Sequence, residues 1–395
     1  MAAAATRRLY WDDALALGFR ARVAAHTRWG ERDAVVLEAT AFYPEAGGQL
    51  ADRGVLAGRP VVDVGLDDAG VIHHVLEGER PAVGDEVAGE VERARRRLHM
   101  ALHTGQHLLS RALVEIARAD TVSARLGEHG CTIDVDVATL GERALAEAEA
   151  LVHAVIDDDV AVRAFFPDAE ELARLPLRRE PKVDADVRVI DIGGFDLSPC
   201  GGTHCTRSGQ VGLVRVTGSE RYKGKQRIFF DAGQRARVVT AGHDDALRAL
   251  AVSFAVAAGD VPAAVERLRG EVKTASATAR ALKERLAEAL AAGLGGERVV
   301  VTLDEAGPGT DVELLRAVAK RVVARDGAVA LLAARVPGGV DVVVSRGAGS
   351  SFDCGAFVKR VAAACGGRGG GRPQHAEGRL PEGADWSALV LAHGG

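Results

Sequence analysis

Two pairs of residues at matching spacing could bind one metal ion. His103 and His107 stand four residues apart in the segment HTGQH, and Cys200 and His204 stand four apart in CGGTH. On a helix, two residues at this spacing project from one face with Cβ atoms roughly 5–6 Å apart, which suits two imidazoles binding one ion. Nitrogen and sulfur donors together favour zinc over magnesium or calcium. If the fold brings the pairs together, the sequence predicts a site for one Zn²⁺ per chain.

Each pair also has an interpretation without a metal. An HxxxH pair alone is most often two polar residues on a wet helix face. Because Gly201 and Gly202 resist a helix, Cys200 and His204 fit a tight loop that wraps closely around an ion, or a glycine turn with a buried thiol. Cys205 adjoins this loop and is an alternative ligand, although the spacing favours Cys200.

Composition fits a globular protein in a reducing compartment. A chain of 395 residues, 47% hydrophobic and 27% charged, is long enough for two or three domains with cores of ordinary size. A net charge of −5 gives no global attraction to nucleic acid, so RNA binding would depend on local basic patches. Five cysteines do not suggest a disulfide framework. With no N-terminal leader and no apolar run of membrane-spanning length, we expect a cytoplasmic protein.

Changes in the spacing of hydrophobic residues divide the chain into four units. Residues 1–90 carry short alternating runs typical of a small β-barrel or sandwich. Residues 91–235 begin with a helix that carries HTGQH and continue with mixed helix and strand. Residues 236–296 are predicted to form a helical arm, and residues 297–395 a separate α/β domain. The expected fold class is therefore α+β, with several domains.

The arm carries a heptad seam of small and apolar residues. Asp260 can cap its helix, and Pro262 falls in the first turn. The seam alternates steps of three and four residues: Val265, Leu268, Val272, Ala275, Ala279, Leu282, Leu286 and Ala289. Because alanine side chains are small, the seam offers little apolar contact area. An antiparallel arm or a homodimer contact is therefore favoured over a long independent rod.

Four motifs, in order along the chain, resemble one family. HTGQH and PCGGTHCTRSGQVG look like the editing domain of alanyl-tRNA synthetase and of its freestanding relatives, the AlaX proteins; a related domain occurs in threonyl-tRNA synthetase. FYPEAGGQLADRG is similar to the glycine-rich motif of the N-terminal barrel in longer AlaX proteins. GGRGGGRPQHAEG is similar to the end of their C-terminal DHHA1 domain. The chain thus resembles long-form AlaX, and we expect no class II aminoacylation domain in it.

The resemblance implies hydrolysis of the ester that joins a wrong amino acid, serine or glycine, to tRNA(Ala). Discrimination by one small group in a pocket is limited to roughly 10–200-fold, so a second, hydrolytic sieve is useful. The implied metal ligands are His103, His107, Cys200 and His204. Four protein ligands suggest a closed structural site, whereas hydrolytic zinc usually keeps an open position. Either His204 sits back and transfers protons, or the metal mainly organises the pocket.

Further residues of the motifs are candidates for contacts with the substrate. Gln106 stands where the synthetase typically has threonine, and its amide faces either the substrate or another helix. Ser123 falls about where the family places a polar residue that senses the seryl hydroxyl. The complete candidate set is Gln106, Ser123, Gly201, Gly202 and Thr203.

Local arginines are the candidates for binding tRNA. The run ERARRR enters the histidine-bearing helix and is either a solvated face or a contact to acceptor-stem phosphates. The glycines at 366–371 either form a mobile surface loop or approach the RNA backbone. The candidates are Arg95, Arg96, Arg97, Arg368 and Arg372. Gly-Gly-Gln at 47–49 also occurs in peptide release factors, but its flanks fit the AlaX motif better.

Two alternatives to editing remain. The zinc could be structural, with the whole chain acting as an RNA-binding module without hydrolytic activity. The chain could also be a zinc hydrolase that acts on another aminoacyl or peptidyl ester.

Overall fold

A computed structural model describes residues 5–181, 183, 186–303 and 311–394 of the chain. It contains two compact units, Met1–Arg248 and Ala249–Gly395, each with its own sheets and helices. The prediction of an α+β chain with several domains is confirmed.

The first unit begins with short strands whose side chains alternate between core and solvent. In EVAGEV, for example, every second residue from Val87 onward is buried. Strands β2, β3, β7, β6, β5 and β8 close in that order into a barrel around an apolar core that includes Phe42 and Ile72. The elements are β1 (Arg7–Arg8), α1 (Leu9–Asp12), β2 (Gly18–Trp29), β3 (Arg32–Leu37), β4 (Ala39–Thr40), β5 (Gly54–Leu56), β6 (Arg59–Leu66), β7 (Ile72–Leu76) and β8 (Glu86–Val91).

A long buried helix and two antiparallel sheets complete the first unit. The helix, α2, packs on a sheet in the order β14-β15-β10-β9, and a smaller sheet has the order β11-β12-β13. Gly105 allows the close approach of α2, because a Cβ there would lie 3.0 Å from the Cβ of Ala232. The elements are α2 (Arg93–Ala117), β9 (Thr121–Leu126), β10 (Cys131–Val135), α3 (Glu142–Asp157), β11 (Val162–Phe165), α4 (Ala169–Arg174), β12 (Val189–Ile192), β13 (Asp196–Pro199), β14 (Val214–Tyr222) and β15 (Lys225–Ala232).

The second unit contains a five-stranded sheet in the order β16-β17-β18-β20-β19, in which only the β16–β17 pair is parallel. The division between the units falls within the helix α5. The remaining elements are α5 (Gly233–Phe254), α6 (Val261–Ala292), β16 (Arg298–Leu303), α7 (Val312–Val322), β17 (Val329–Val336), β18 (Gly339–Arg346), α8 (Cys354–Cys365), β19 (Arg368–Arg372), β20 (His375–Leu380) and α9 (Trp386–Ala392).

The predicted arm helix is present as α6, but two details differ from the sequence interpretation. Asp260 occupies the N-cap position, yet its side chain makes no capping hydrogen bond. The apolar seam faces solvent, with Leu268, Val272 and Leu282 between 46% and 57% exposed. No single described helix is long and apolar enough to cross a membrane, although α5 and the segment Ala258–Ala292 reach that length and composition when taken together.

The glycine-rich segment near the C-terminus is an edge strand and not a loop. Strand β19 pairs with β20 from Arg368 to Arg372. Its glycines let α8 approach closely, because a Cβ on Gly369 would lie 2.7 Å from the side chain of Val358. The loop interpretation of this segment was therefore wrong.

Candidate metal centre

The two spaced pairs of the sequence meet in the first unit. The ligand atoms of His103, His107, Cys200 and His204 all lie within 4.8 Å of one another. The Cys200 Sγ lies 3.4 Å from Nε2 of His103 and 3.4 Å from Nε2 of His204. From ordinary Zn–S and Zn–N bond lengths at the tetrahedral angle, a sulfur and a nitrogen on one zinc should be about 3.5 Å apart. The side chains therefore converge at a spacing that fits a zinc ion.

Different local structures position the two pairs. His103 and His107 lie one turn apart on α2, as the spacing predicts, and both are buried because this part of α2 is in the core. Cys200 and His204 lie in a loop that follows β13. Gly202 is required there, because a Cβ at this position would collide with the imidazole ring of His103. The prediction of a tight glycine loop is confirmed.

Each imidazole has its Nδ1 held by a neighbouring polar group. Nδ1 of His103 lies 2.8 Å from Oε1 of Gln49, and Nδ1 of His107 lies 2.9 Å from Oδ2 of Asp196. Nδ1 of His204 lies 3.2 Å from the Thr104 hydroxyl oxygen. The Gln49 and Asp196 oxygens only accept, so they fix the tautomer of His103 and His107 in which Nδ1 carries the proton and Nε2 is free to bind a metal, whereas a threonine hydroxyl can donate or accept. The orientation of all three rings thus suits ligation through Nε2.

Electrostatics favour the ligating protonation state at Cys200 and His204 but oppose it at His107: burial would lower the pKa of that imidazole, yet the hydrogen bond to Asp196 raises it. Burial, reinforced by the neighbouring His103, lowers the pKa of His204 to about 3, so this imidazole is neutral. Burial opposes a thiolate at Cys200, but the neighbouring imidazole of His103 outweighs this effect and holds the pKa of that thiol well below its usual value. Metal ligation requires a thiolate and neutral imidazoles.

Asp196 supports the donor set through its hydrogen bond with His107. Burial would raise the pKa of this carboxyl, but His107 and Arg178 hold it below its usual range. Its Oδ1 accepts a hydrogen bond of 2.6 Å from Nε of Arg178. Asp196 therefore stays ionised while it orients His107.

A cleft of about 1100 Å³ opens beside the donor set. Its wall includes His103 and Cys200 together with the glycines of both motifs, Gly47, Gly48, Gly201 and Gly202. Ligand sites in proteins typically occupy about 300–1,000 Å³, so the cleft has room for more than an amino acid.

Four of the five residues expected to contact substrate line this cleft. Gln106 and Ser123 face it from α2 and β9, although each already donates a hydrogen bond, to Ser110 Oγ and to Asp134 Oδ2 respectively. Thr203 is different: it is fully buried, and its hydroxyl accepts a hydrogen bond from Gln49. The expectation that Thr203 contacts substrate is therefore not supported.

The arginine run at the start of α2 is divided between core and surface. Arg96 is completely buried and pairs with the equally buried Asp52, so its prediction as a tRNA contact was wrong. Arg95 is mostly covered and donates to the Ala51 carbonyl, whereas Arg97 is exposed. In the second unit, Arg368 and Arg372 are exposed at the two ends of β19.

Sequence reasoning missed the residues that hold the ligands in place. Gln49 was noted only as part of Gly-Gly-Gln, and neither Asp196 nor Thr104 was singled out. The glycine-rich motif quoted above was the available signal for Gln49. Gly48 lies at a φ of +86°, where a Cβ would sit 2.5 Å from the Ala124 carbonyl oxygen, so this turn is pressed against β9.

Three family models match separate parts of the chain. The model described as "Threonyl and Alanyl tRNA synthetase second additional domain" matches residues 187–229, which carry Cys200 and His204. The DHHA1 domain model matches residues 295–390. These two matches show that the chain contains a domain of the kind described for threonyl- and alanyl-tRNA synthetases and a DHHA1 domain. A third model, "tRNA synthetases class II (A)", matches residues 11–95, whereas no class II aminoacylation domain was expected from the sequence.

Curated alanine–tRNA ligases are similar to this chain over nearly its whole length. The alanine–tRNA ligase of Halorubrum lacusprofundi is 33% identical over 401 residues, which cover 95% of this chain and 42% of that enzyme. The corresponding ligase of Pyrobaculum neutrophilum is 34% identical over 400 residues, with 95% and 42% covered. The ligase of Methanopyrus kandleri is 30% identical over 407 residues, with 98% and 44% covered. The chain thus spans less than half the length of these relatives.

Among solved structures, the crystal structure of the C-Ala domain from Aquifex aeolicus alanyl-tRNA synthetase matches with a TM-score of 0.21 and 20% sequence identity. The match covers 24% of this chain and 85% of that domain.

Proposed function

We propose that this chain is a trans-editing hydrolase that cleaves the ester of mischarged Ser-tRNA(Ala), and of Gly-tRNA(Ala) as a second substrate. The observation that carries the proposal is that the His₃Cys donor set forms part of the wall of a large cleft, through His103 and Cys200. The family relationship supplies the class of substrate. The reaction consumes one water and releases the free amino acid and tRNA.

The chain's own residues would hold one Zn²⁺ through His103, His107, Cys200 and His204. A bound zinc ion supplies Lewis acidity toward an ester carbonyl or a bound water of lowered pKa. In the proposal, Gln49 and Asp196 keep His103 and His107 in the ligating tautomer, and Thr104 holds the ring of His204 in place. The glycine at 202 lets the loop approach His103 closely enough for one ion to be shared.

The polar wall formed by α2 and β9 is the proposed sieve. The Gln106 amide, the Thr121 hydroxyl and the Ser123 hydroxyl line the cleft on this side. A seryl hydroxyl can form an added hydrogen bond with these groups, of which only the Gln106 amide is buried, whereas an alanyl methyl group cannot. The proposal therefore places preference for serine over alanine in this wall.

The decisive experiment compares two substrates. Purified protein is incubated with Ser-tRNA(Ala) and, separately, with Ala-tRNA(Ala), and release of each amino acid is followed. Selective loss of serine supports editing, and equal loss of both amino acids supports an unselective esterase. Gly-tRNA(Ala) is assayed in parallel to measure the second activity.

A second candidate function is an RNA-binding module with a structural zinc. The observation that favours it is the number of protein donors: four converging ligands fill a tetrahedral zinc, as in closed structural sites. This candidate predicts tRNA binding without release of either amino acid in the same assay.

The partners follow from the proposed reaction. tRNA(Ala) would be contacted by exposed arginines such as Arg97, Arg368 and Arg372. Because its substrate takes part in translation, we place the protein in the cytoplasm.

The exposed seam of α6 is proposed as a homodimer contact. Replacement of Leu268 and Val272 by glutamine should break the dimer, and light scattering would show this as a fall in the measured mass.

A further inference from the structure

The hairpin formed by β14 and β15 has a cationic tip that the candidate metal centre does not use. The two strands pair as far as Tyr222 and Lys225, so Lys223 and Gly224 alone form the turn. The tip, ERYKGK at 220–225, contains three cations and one carboxylate in a chain whose net charge is −5. Tyr222 and Lys225 are half-buried, and the other residues of the tip are exposed. The hairpin therefore presents a local positive patch to solvent.

The lysine of the turn has an unfavourable backbone conformation. Lys223 lies at a φ of +49° and Gly224 at +77°, which is the pattern of a two-residue type I′ turn. This turn favours Asn-Gly or Asp-Gly, because a side chain such as that of lysine crowds the backbone at positive φ. A lysine that keeps such a position against its conformational preference indicates that its side chain has a task.

An aromatic ring lies among the cations of the hairpin. The guanidinium of Arg227 lies 3.5 Å from the centre of the Tyr222 ring, and the Lys223 ammonium lies 5.1 Å from it. Arg227 is neutralised, since it donates to the Asp134 carboxylate at 2.7 and 2.9 Å. Within the described part of the chain, no carboxylate forms an ion pair with Lys223 or Lys225. Lysine and tyrosine side chains are common donors to nucleic-acid phosphates, so the unneutralised lysines beside this ring suit a phosphate backbone.

The register of the sheet connects this hairpin to the cleft. Ser123 on β9, Asp134 on β10 and Arg227 on β15 pair in one row across the sheet. Ser123 lines the cleft and donates a hydrogen bond of 2.8 Å to Asp134. Side chains of directly paired residues share a face, and neighbouring strands lie about 4.8 Å apart, so β14 is about 14 Å from β9. A polymer whose end lies in the cleft can therefore also reach the hairpin.

We propose that the hairpin tip, through Lys223, Lys225 and Tyr222, binds the phosphate backbone of the tRNA acceptor arm outside the cleft. The identity of the RNA rests on the proposed function. RNA is favoured over an acidic protein as the partner, because the cations surround an aromatic ring and the sheet continues to the cleft. Lysine binds phosphate as a point charge, so this contact positions the RNA without reading its bases.

The test measures RNA binding by the full-length protein without any hydrolysis. The probe is a fluorescent acceptor-stem minihelix of tRNA(Ala) that carries no amino acid, and anisotropy gives its affinity at several salt concentrations. Lys223→Asn introduces the preferred Asn-Gly turn, so the unfolding midpoint should not fall. Its minihelix affinity should nevertheless fall about fivefold at about 0.1 M salt, and the slope of log affinity against log salt should decrease by about 0.7–0.9.

Matched variants separate this contact from general effects of charge. Lys223→Arg keeps the charge at the same backbone position and should bind as the wild type does. Combining Lys223→Asn with Lys225→Gln should reduce the slope by about twice as much as Lys223→Asn alone. Arg22→Gln removes an exposed cation from the barrel strand β2, outside the cleft wall, and should leave the slope unchanged.

Three results would overturn the proposal. The first is an unchanged slope in the double variant, which would leave the tip as a solvated turn or a surface for an acidic protein. The second is an equal loss in Arg22→Gln, which would reduce the effect to net charge. The third is absence of minihelix binding by the wild type at about 0.05 M salt. Deacylation is scored separately: release of serine with an unchanged slope contradicts only the hairpin contact, and a reduced slope without release of serine contradicts only the proposed hydrolysis.

Discussion

The side-chain oxygen of Gln49 lies 2.8 Å from Nδ1 of His103, which connects the Gly-Gly-Gln turn after the first barrel strands to the helix that carries two of the candidate metal ligands. The same amide group also bonds Thr203 in the metal loop, through the Thr203 backbone N–H at 3.2 Å and the hydroxyl at 2.8 Å. One side chain from the barrel thus contacts both halves of the donor set. The candidate metal centre is therefore built from three segments of the chain and not from two.

Replacement of Gln49 should weaken metal binding although this residue is not a ligand. Gln49→Leu removes the acceptor for His103 Nδ1–H, and loss of such a partner typically lowers metal affinity about 10–100-fold. Gln49→Glu keeps an acceptor and should retain most of the affinity. The measurement is competition with a zinc chelator. Equal affinities of the leucine variant and the wild type would show that His103 does not depend on this contact.

The protein should be isolated with about one zinc per chain. Cys200→Ala should lose most of the metal, whereas the neighbouring Cys205→Ala should keep it, since Cys205 lies outside the donor set. Binding should weaken as pH falls, because protons compete for the thiolate and the imidazoles. Elemental analysis of each variant checks this. Full zinc retention in both Cys200→Ala and His103→Ala would refute the site.

The buried pair of Arg96 and Asp52 should matter for stability and not for RNA contact. Arg96→Met leaves the Asp52 carboxylate buried and unpaired, which should lower the free energy of unfolding by about 3–5 kcal/mol. The double variant Arg96→Met with Asp52→Leu removes both charges and should recover much of this loss. Denaturant unfolding of the three proteins gives the comparison. A double variant no more stable than Arg96→Met would contradict the ion-pair explanation.

Arg97, like Arg93, is an exposed member of the run and remains available to phosphate. Arg97→Gln should lower tRNA affinity and reduce the slope of log affinity against log salt by about 0.7–0.9, the contribution of one phosphate contact. Hydrolysis at saturating tRNA should persist if Arg97 only positions the acceptor stem. A salt titration of binding measures the slope. An identical slope in the variant would assign Arg97 to the solvated face of α2.

Glu377 should make the stability of the second unit depend on acid pH. Hydrogen bonds from Arg316 lower the pKa of this carboxyl from 4.5 to about 2, against the opposing effect of partial burial. The unfolded state then binds the proton more readily than the folded state, so stability contributed by Glu377 is complete above about pH 4.5 and is lost as pH falls towards 2. The difference in unfolding midpoint between wild type and Glu377→Gln should shrink over this window. The exposed Glu382→Gln is the control and should show little difference at any pH.

The sequence by itself determined the chemistry of this protein's candidate metal centre. Residue types and spacing identified the two ligand pairs, because an i, i+4 pair on a helix and a glycine-rich loop are local structures that depend on few neighbours. The family motifs could be recognised for the same reason, because each is a short segment whose residues identify it without knowledge of the fold. The hydrophobic periodicity of strands and helices is likewise a local property, and it was sufficient to predict an α+β chain with several domains.

Only the tertiary structure decided which polar residues support the ligands and which arginines reach the surface. Gln49 is 54 residues from His103 in sequence, and Asp196 is 89 residues from His107, so no periodicity relates them. The run at 95–97 looked uniformly basic, yet one turn of a half-buried helix points Arg96 into the core and Arg97 to solvent. The orientation of a helix around its own axis depends on what packs against it, and that information belongs to contacts between distant segments of the chain.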